Sequence, residues 1–217
     1  MNPPSPATAD RPGTGSDTST QRRHLDLGCG TRPRNPYAAP LLYGIDIRSG
    51  LQAPGVQAIV AANLALQAIP FADAQFDSVS AYDFIEHIPR VALDVASGSS
   101  RLPFIELMNE IWRVLKPDGR LYAVTPLFDH EKMWRDPTHV NPITPKTWRY
   151  FCRPELGARM YGFKGEFEQL RQTRCRFKRD YEPDRPALGS WLARGADRLT
   201  GQAAHLVWEW RALKPPH

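Results

Sequence analysis

Short apolar runs separated by turn residues fill the first 126 positions. The runs at 24–27, 41–47, 56–62 and 76–82 have strand length, and the first two carry an acid one residue before their end, the first followed by Gly28 and Gly30. Residues 31–40 are too rich in proline for a regular helix, so the first crossover is predicted to be abbreviated. After a Gly/Ser-rich break at 98–101, Leu102, Ile105, Met108, Ile111, Trp112 and Leu115 recur at helical spacing, with Pro103 acceptable in the first turn. The turn Lys116-Pro117-Asp118-Gly119 closes this helix, and residues 120–126 are predicted as a further strand. Strands alternating with crossovers predict an α/β fold.

The pattern changes after residue 126. Residues 127–165 are rich in Trp, His, Pro and Tyr without a clear period, too long for an idle loop, and are predicted to form a lid or substrate-binding insertion with a capped short helix at 144–151. Alternation over 173–178 predicts a strand with Arg174, Arg176 and Lys178 on one face. Leu188, Trp191, Leu192, Ala196 and Leu199 suit an amphipathic helix, and 205–213 a last strand. At the other end, residues 1–21 hold four prolines and almost nothing apolar, the composition of a disordered tail. Residues 22–217 are then expected to form one domain.

Composition narrows the class. A chain of 217 residues with 41% hydrophobic residues can bury one substantial core. No apolar run approaches the roughly 20 residues of a membrane span, and the N-terminus lacks the apolar core of a secretory signal. Cys29, Cys152 and Cys175 are far apart and form no metal-binding pair, which fits a reducing cytoplasm. The charge is uneven: residues 1–131 carry 11 basic and 14 acidic side chains, net −3, and residues 132–217 carry 17 and 9, net +8. A basic second half can meet RNA, a phosphorylated or otherwise anionic substrate or an acidic membrane surface, or form a solvated surface.

The candidate chemistry centres on His24-Leu25-Asp26-Leu27-Gly28-Cys29-Gly30, where a strand ends in an acid and two glycines as it would beneath a ligand. The third glycine of a dinucleotide site is missing, which argues against a nicotinamide oxidoreductase. Asp46 ends the second run at the position where a carboxylate accepts ribose hydroxyls in doubly wound sheets. Together with Asn63-Leu64, the run Ile69-Pro70-Phe71 to Phe76-Asp77, Glu86-His87 and the Leu-Lys-Pro-Asp-Gly turn at 115–119, this order resembles the class I S-adenosylmethionine (SAM) dependent methyltransferases of the type 11-like family. The resemblance implies a single doubly wound, mostly parallel, seven-stranded sheet with helices on both faces. It also implies SAM as cofactor, with Gly28 and Gly30 under the methionine moiety and Asp26 near its amino group. Asp46 would lie on the ribose, Asn63 and Leu64 at the adenine, and Asp83 near the sulfonium. Asn63 stands where Asp is more usual, and an amide oxygen can still accept from the adenine amine.

Methyl transfer from a sulfonium is an in-line displacement, so positioning dominates, and a hydroxyl acceptor gains from a base such as histidine. His87, after the fourth strand, is the first candidate and His139 the second. Asp83-x-x-Glu86-His87 with the distant His139 is also similar to the arrangement of metal-dependent relatives, where Glu86, His87 and His139 would hold a divalent ion. The expected function is O-methylation of a small-molecule or glycan hydroxyl. The alternatives are RNA methylation through the basic half and a non-catalytic SAM-binding or assembly module.

Overall fold

A computed structural model describes residues 21–176, 196, 197 and 199–215 of the chain. Seven strands form one sheet: β1 (Arg23–Leu27), β2 (Leu41–Asp46), β3 (Val56–Ala61), β4 (Phe76–Tyr82), β7 (Leu115–Pro126), β8 (Phe167–Cys175) and β9 (His205–Ala212). Their order is β3-β2-β1-β4-β7-β9-β8. Pairs from β3 across to β7 are parallel, and β9 runs antiparallel to both β7 and β8. A short antiparallel hairpin of β5 (Ala92–Asp94) and β6 (Ser99–Arg101) stands apart from the sheet.

The two faces of the sheet are built differently, and the alternation along each strand shows why. Leu25 and Leu27 of β1, Val79 and Ala81 of β4, Leu121 and Ala123 of β7, and Trp208 and Trp210 of β9 join one apolar cluster. Against it lies α1 (Pro103–Val114), whose Phe104, Leu107, Met108, Ile111 and Val114 are buried. Pro103 at the first position, Glu106 in the first turn and Arg113 in the last suit the helix dipole.

The opposite face carries His24 and Asp26 of β1, Ser78 and Ser80 of β4 and Glu209 of β9, all buried. Buried polar groups must find partners, and these find one another. His24 Nδ1 lies 2.7 Å from Ser78 Oγ and Nε2 lies 2.8 Å from Ser80 Oγ. Ser80 Oγ donates to Asp26 Oδ1 at 2.6 Å, and the Arg34 N–H donates to Oδ2 at 2.8 Å. Further along, Tyr37 Oη donates to Glu209 Oε1 at 2.7 Å, and Arg120 Nη1 reaches the same oxygen at 3.1 Å. The connection over 28–40 contains no helix, in line with its prolines, and a hydrogen-bonded loop covers the sheet there.

Two sequence expectations change. The turn Lys116-Pro117-Asp118-Gly119 is a bulge inside β7: Phe76 pairs with Leu115 and Ser78 with Arg120, so four residues loop out of a strand that continues. Asp118 takes φ 60° there, and Lys116 Nζ holds Asp77 at 2.8 and 2.9 Å. The strand expected at 173–178 begins six residues earlier as β8 and ends at Cys175. Phe167 at its head is fully buried beside Phe163 and Trp210, so aromatic packing sets that start. Lys178, most of the expected helix at 188–199 and the tail over 1–20 lie outside the described residues.

Burial drives the linked His24 and Asp26 to their neutral forms, lowering the histidine to about 3 and raising the acid to about 7. Between pH ~4 and ~6.5 the unfolded chain holds one proton on His24, and the folded pair holds one on Asp26, so the pair exchanges no net proton on unfolding. Asp26→Asn breaks that balance. In the variant, unfolding takes up a proton at His24 throughout the window, so stability falls as pH drops from ~6.5 towards ~3. Urea unfolding of variant and parent across this range is expected to show a stability difference that widens on acidification. A constant difference would show that His24 is not held neutral.

Candidate active site

The C-terminal ends of β3, β2, β1 and β4 form one edge, and strand order reverses between β1 and β4, where open α/β sheets leave a ligand crevice. Gly28 and Gly30 turn the chain there with φ of 64° and 60°. Gly28 is doubly required, since a Cβ on it would sit 2.5 Å from Phe84 Cδ2. Asp46 at the end of β2 accepts from the Gly30 N–H at 2.8 Å, so the glycine turn and the acid are locked together. Its other oxygen accepts from Arg48 through the backbone N–H at 3.0 Å and Nε at 2.9 Å. Burial alone would raise this acid, but the bonds from Arg48 and Gly30 outweigh it and hold the carboxyl below its ordinary range.

Asn63 follows β3. Its side-chain oxygen accepts from the Ala65 N–H at 3.1 Å and its own N–H donates to Gln67 Oε1 at 2.8 Å, while the Leu64 side chain enters the core. Asp83 ends the row after β4 with φ 45°, a left-handed conformation uncommon for a non-glycine residue, and Oδ1 lies 3.4 Å from His205 Nε2. Gly28, Gly30, Asp46, Asn63, Leu64 and Asp83 thus share one edge. Asp26 lies beneath it with no exposed surface and both oxygens engaged, so it touches the edge only through the loop it holds.

A second group of side chains adjoins Asp83. The single 3-10 turn Ile85–His87 leads away from β4, and the Glu86 carbonyl accepts from the N–H groups of Val140 and Asn141 at 2.8 and 3.0 Å. Asn141 Nδ2 also donates to the Ile85 carbonyl at 3.2 Å. These bonds lay residues 138–141 across the turn and bring His139 against His87, with ring centroids 4.7 Å apart. Glu86, His87 and His139 each offer a ligand atom within 4.8 Å of the others.

The hydrogen bonds fix the histidine tautomers. The Thr138 hydroxyl donates to Asp136 Oδ1 at 2.7 Å, so its lone pair accepts from His87 Nδ1 at 3.0 Å. His139 Nδ1 donates to the Met133 carbonyl at 3.0 Å. His87 therefore keeps a lone pair on Nε2, and His139 Nε2 lies 3.7 Å from Asp136 Oδ2. Burial and the neighbouring His139 lower His87, so it is neutral at pH 7. Glu86 is fully buried and neither carboxyl oxygen has a hydrogen-bond partner. Burial, with Asp83 nearby, pushes it well above the usual carboxylate range. A cavity of about 450 Å³ opens beside the group, lined by Asp83, His87, His139 and His205 together with Lys132 and Arg135.

Several of these residues carry no sequence signal. Thr138 and Asp136 act through a hydrogen bond across the fold, and His205 comes from the start of β9. Arg48 was discoverable from its place two residues after Asp46.

The sheet order, the glycine turn locked to Asp46 and the row of residues along one edge are those of a doubly wound α/β fold with a ligand crevice at its switch point. Residues 25–123 match the family described as methyltransferase domain. Residues 25–123 therefore carry a class I methyltransferase domain of the SAM-dependent kind. Among solved structures, a methyltransferase from Haloferax volcanii in complex with the Trm112 activator is similar at TM-score 0.54 and 15% identity, covering 89% of this chain and 84% of that one. A SAM-dependent methyltransferase from Mesorhizobium loti gives 0.53 at 15%, covering 88% and 91%. YcgJ from Bacillus subtilis gives 0.51 at 17%, covering 90% and 93%. At these identities the likeness is one of fold. Comparison with curated proteins finds no match.

The contact between the two imidazoles yields a direct test. Because His139 helps to lower His87, His139→Asn is expected to move the His87 titration midpoint upward in an NMR pH series. An unchanged midpoint would show that His139 does not contribute to it.

Proposed function

We propose that this enzyme methylates a hydroxyl group of a small molecule or glycan, with His87 as general base. The observation that supports this is the chain His87 Nδ1–H, Thr138 hydroxyl, Asp136 carboxylate, which leaves Nε2 as the basic atom. Two bonds from Thr138 hold Asp136 below its ordinary range, so it stays ionised and can stabilise the imidazolium. In the step itself the acceptor oxygen attacks the methyl carbon in line as the bond to the sulfonium breaks. The hydroxyl proton passes to His87 Nε2, and S-adenosylhomocysteine leaves.

In this reading Gly28 and Gly30 lie under the methionine moiety, Asp46 takes the ribose hydroxyls, Asn63 and Leu64 meet the adenine, and Asp83 faces the sulfonium end. Arg48 then has to yield part of the Asp46 carboxylate to the ribose. Asp46→Ala is expected to weaken SAM binding by roughly 1.5–3 kcal/mol, measured by calorimetry. Unchanged affinity would remove Asp46 from the ribose.

A second reading is favoured by Glu86, whose buried carboxyl lacks any hydrogen-bond partner. One carboxylate and two imidazole nitrogens are a donor set that suits a divalent cation, and the Nδ1 partners orient both rings for it. Such an ion would supply Lewis acidity that lowers the pKa of the acceptor hydroxyl. Kinetics separate the two. With His87 as base, His87→Ala is expected to lower turnover by about 10²–10⁴ at unchanged SAM affinity, and chelators have no effect. With a bound ion, chelation abolishes turnover and lowers the melting temperature, and Glu86→Ala and His139→Ala behave like His87→Ala. Full activity in a stable His87→Ala variant would sink both.

A further inference from the structure

We infer that the methyl acceptor carries an anionic group, a carboxylate or a phosphate, close to the hydroxyl that is methylated, and that Lys132 and Arg135 recognise it. The inference rests on the proposed hydroxyl methylation at His87 and adds the chemical class of the acceptor.

The observation begins with α2 (Glu131–Arg135). Lys132 and Arg135 stand three residues apart on this helix, which places them on one face, and both line the cavity that contains His87 and His139. Their helix is firmly placed. Met133 on its other side is fully buried, and the Met133 carbonyl accepts from His139 Nδ1, so α2 and the site histidine are joined by a hydrogen bond. His130 Nδ1 accepts from the Lys132 N–H at 3.1 Å at the helix start, and Trp134 Nε1 donates to the Phe128 carbonyl at 3.1 Å.

The charges of this cavity are matched on one side only. Asp136 is held by the Thr138 N–H and hydroxyl at 2.9 and 2.7 Å, and Asp83 lies beside His205. No ion pair or side-chain hydrogen bond among the described residues engages Lys132 Nζ or the Arg135 guanidinium. A larger neighbouring cavity of about 640 Å³ shows the contrast, because its Arg174 is paired with Asp129 at 2.8 Å. Two cations without side-chain partners among the described residues, Lys132 half-buried and Arg135 exposed, stand on one wall of a cavity whose other wall holds the proposed base, and they suit a ligand with a hydroxyl at one end and an anion at the other. The planar guanidinium can grip a carboxylate or phosphate through two parallel bonds, and the ammonium adds a point charge. Held in this way, the hydroxyl is oriented towards Nε2, and the positive field favours its ionisation.

The test measures binding and needs no turnover, so its outcome is independent of the kinetic experiments on His87. Calorimetry on the S-adenosylhomocysteine complex of the full chain, at fixed ionic strength, compares glucuronate, glucose 6-phosphate and glucose. At least one of the two anions is expected to bind about tenfold or more tighter than glucose, and the one that does identifies carboxylate or phosphate. Lys132→Gln with Arg135→Gln is expected to erase that preference while the melting temperature and the affinity for S-adenosylhomocysteine stay at parent values. Equal binding of all three sugars, binding of none, or a preference that survives in the double variant would overturn the inference. So would a short single-stranded RNA that binds more tightly than both anionic sugars, because the two cations would then serve a polymer backbone.

Discussion

A carboxyl group buried in the middle of a sheet has to find its hydrogen bonds there, and the Asp26 carboxyl finds them in Ser80 of the neighbouring strand and the Arg34 N–H of the following loop. The glycine turn depends on this arrangement. A ligand crevice at the switch point of a doubly wound sheet needs a rigid turn at the end of β1, and a helix packed behind the turn is the ordinary way to hold it. Here the prolines of 31–40 leave that crossover without a helix. The turn is tied from below by Asp26, sideways by the Cys29 N–H on the Ile45 carbonyl at 3.0 Å, and in front by the Gly30 N–H on Asp46. Since the covering layer is a loop, the face beneath it can be polar, and the strands alternate His-Leu-Asp-Leu and Ser-Val-Ser-Ala accordingly.

Glu86 is the counterpart. Its surroundings are as buried as those of Asp26, yet its carboxyl oxygens have no partner while its main-chain carbonyl has two. Leaving a buried polar group unsatisfied costs on the order of 1–3 kcal/mol, which a fold tolerates where a function needs the group free. The backbone bonds that Glu86 does make are what carry His139 to His87. One residue therefore assembles the site through its backbone and leaves its side chain available to a proton or an ion.

Much of the sheet was legible because burial on parallel strands leaves compact apolar runs. β4 coincides with the expected 76–82, and the helix expected over 102–115 is α1. The Lys116-Pro117-Asp118-Gly119 segment was misplaced as a connection since its residues favour a turn whether it joins two elements or bulges from one. The edge residues were legible for a related reason: glycines with positive φ and acids at strand ends are local requirements, written at single positions. The grouping of Glu86, His87 and His139 could be proposed from their order, but the orientation of the two rings could not. It follows from the Thr138 hydroxyl and the Met133 carbonyl, and a backbone carbonyl has no signature in sequence. Lys132 and Arg135 were indistinguishable from a solvated basic surface until the fold placed their helix beside the histidines.

The uneven charge of the chain acquires a physical meaning in this geometry. In the proposed reaction a cofactor with a cationic sulfonium meets an acceptor that would approach as an oxygen nucleophile. The half with net −3 contributes the cofactor edge, with Asp46 and Asp83 along it, and the half with net +8 contributes the cationic wall of the neighbouring cavity. In the proposed arrangement the acids of the edge suit the sulfonium donor and Lys132 and Arg135 suit an anionic acceptor, with Asp83 and Asp136 lining the same cavity. Release of the spent donor would gain from the same arrangement: once a methyl group has moved, the sulfonium becomes a neutral thioether, while the anionic group that Lys132 and Arg135 are inferred to hold keeps its charge.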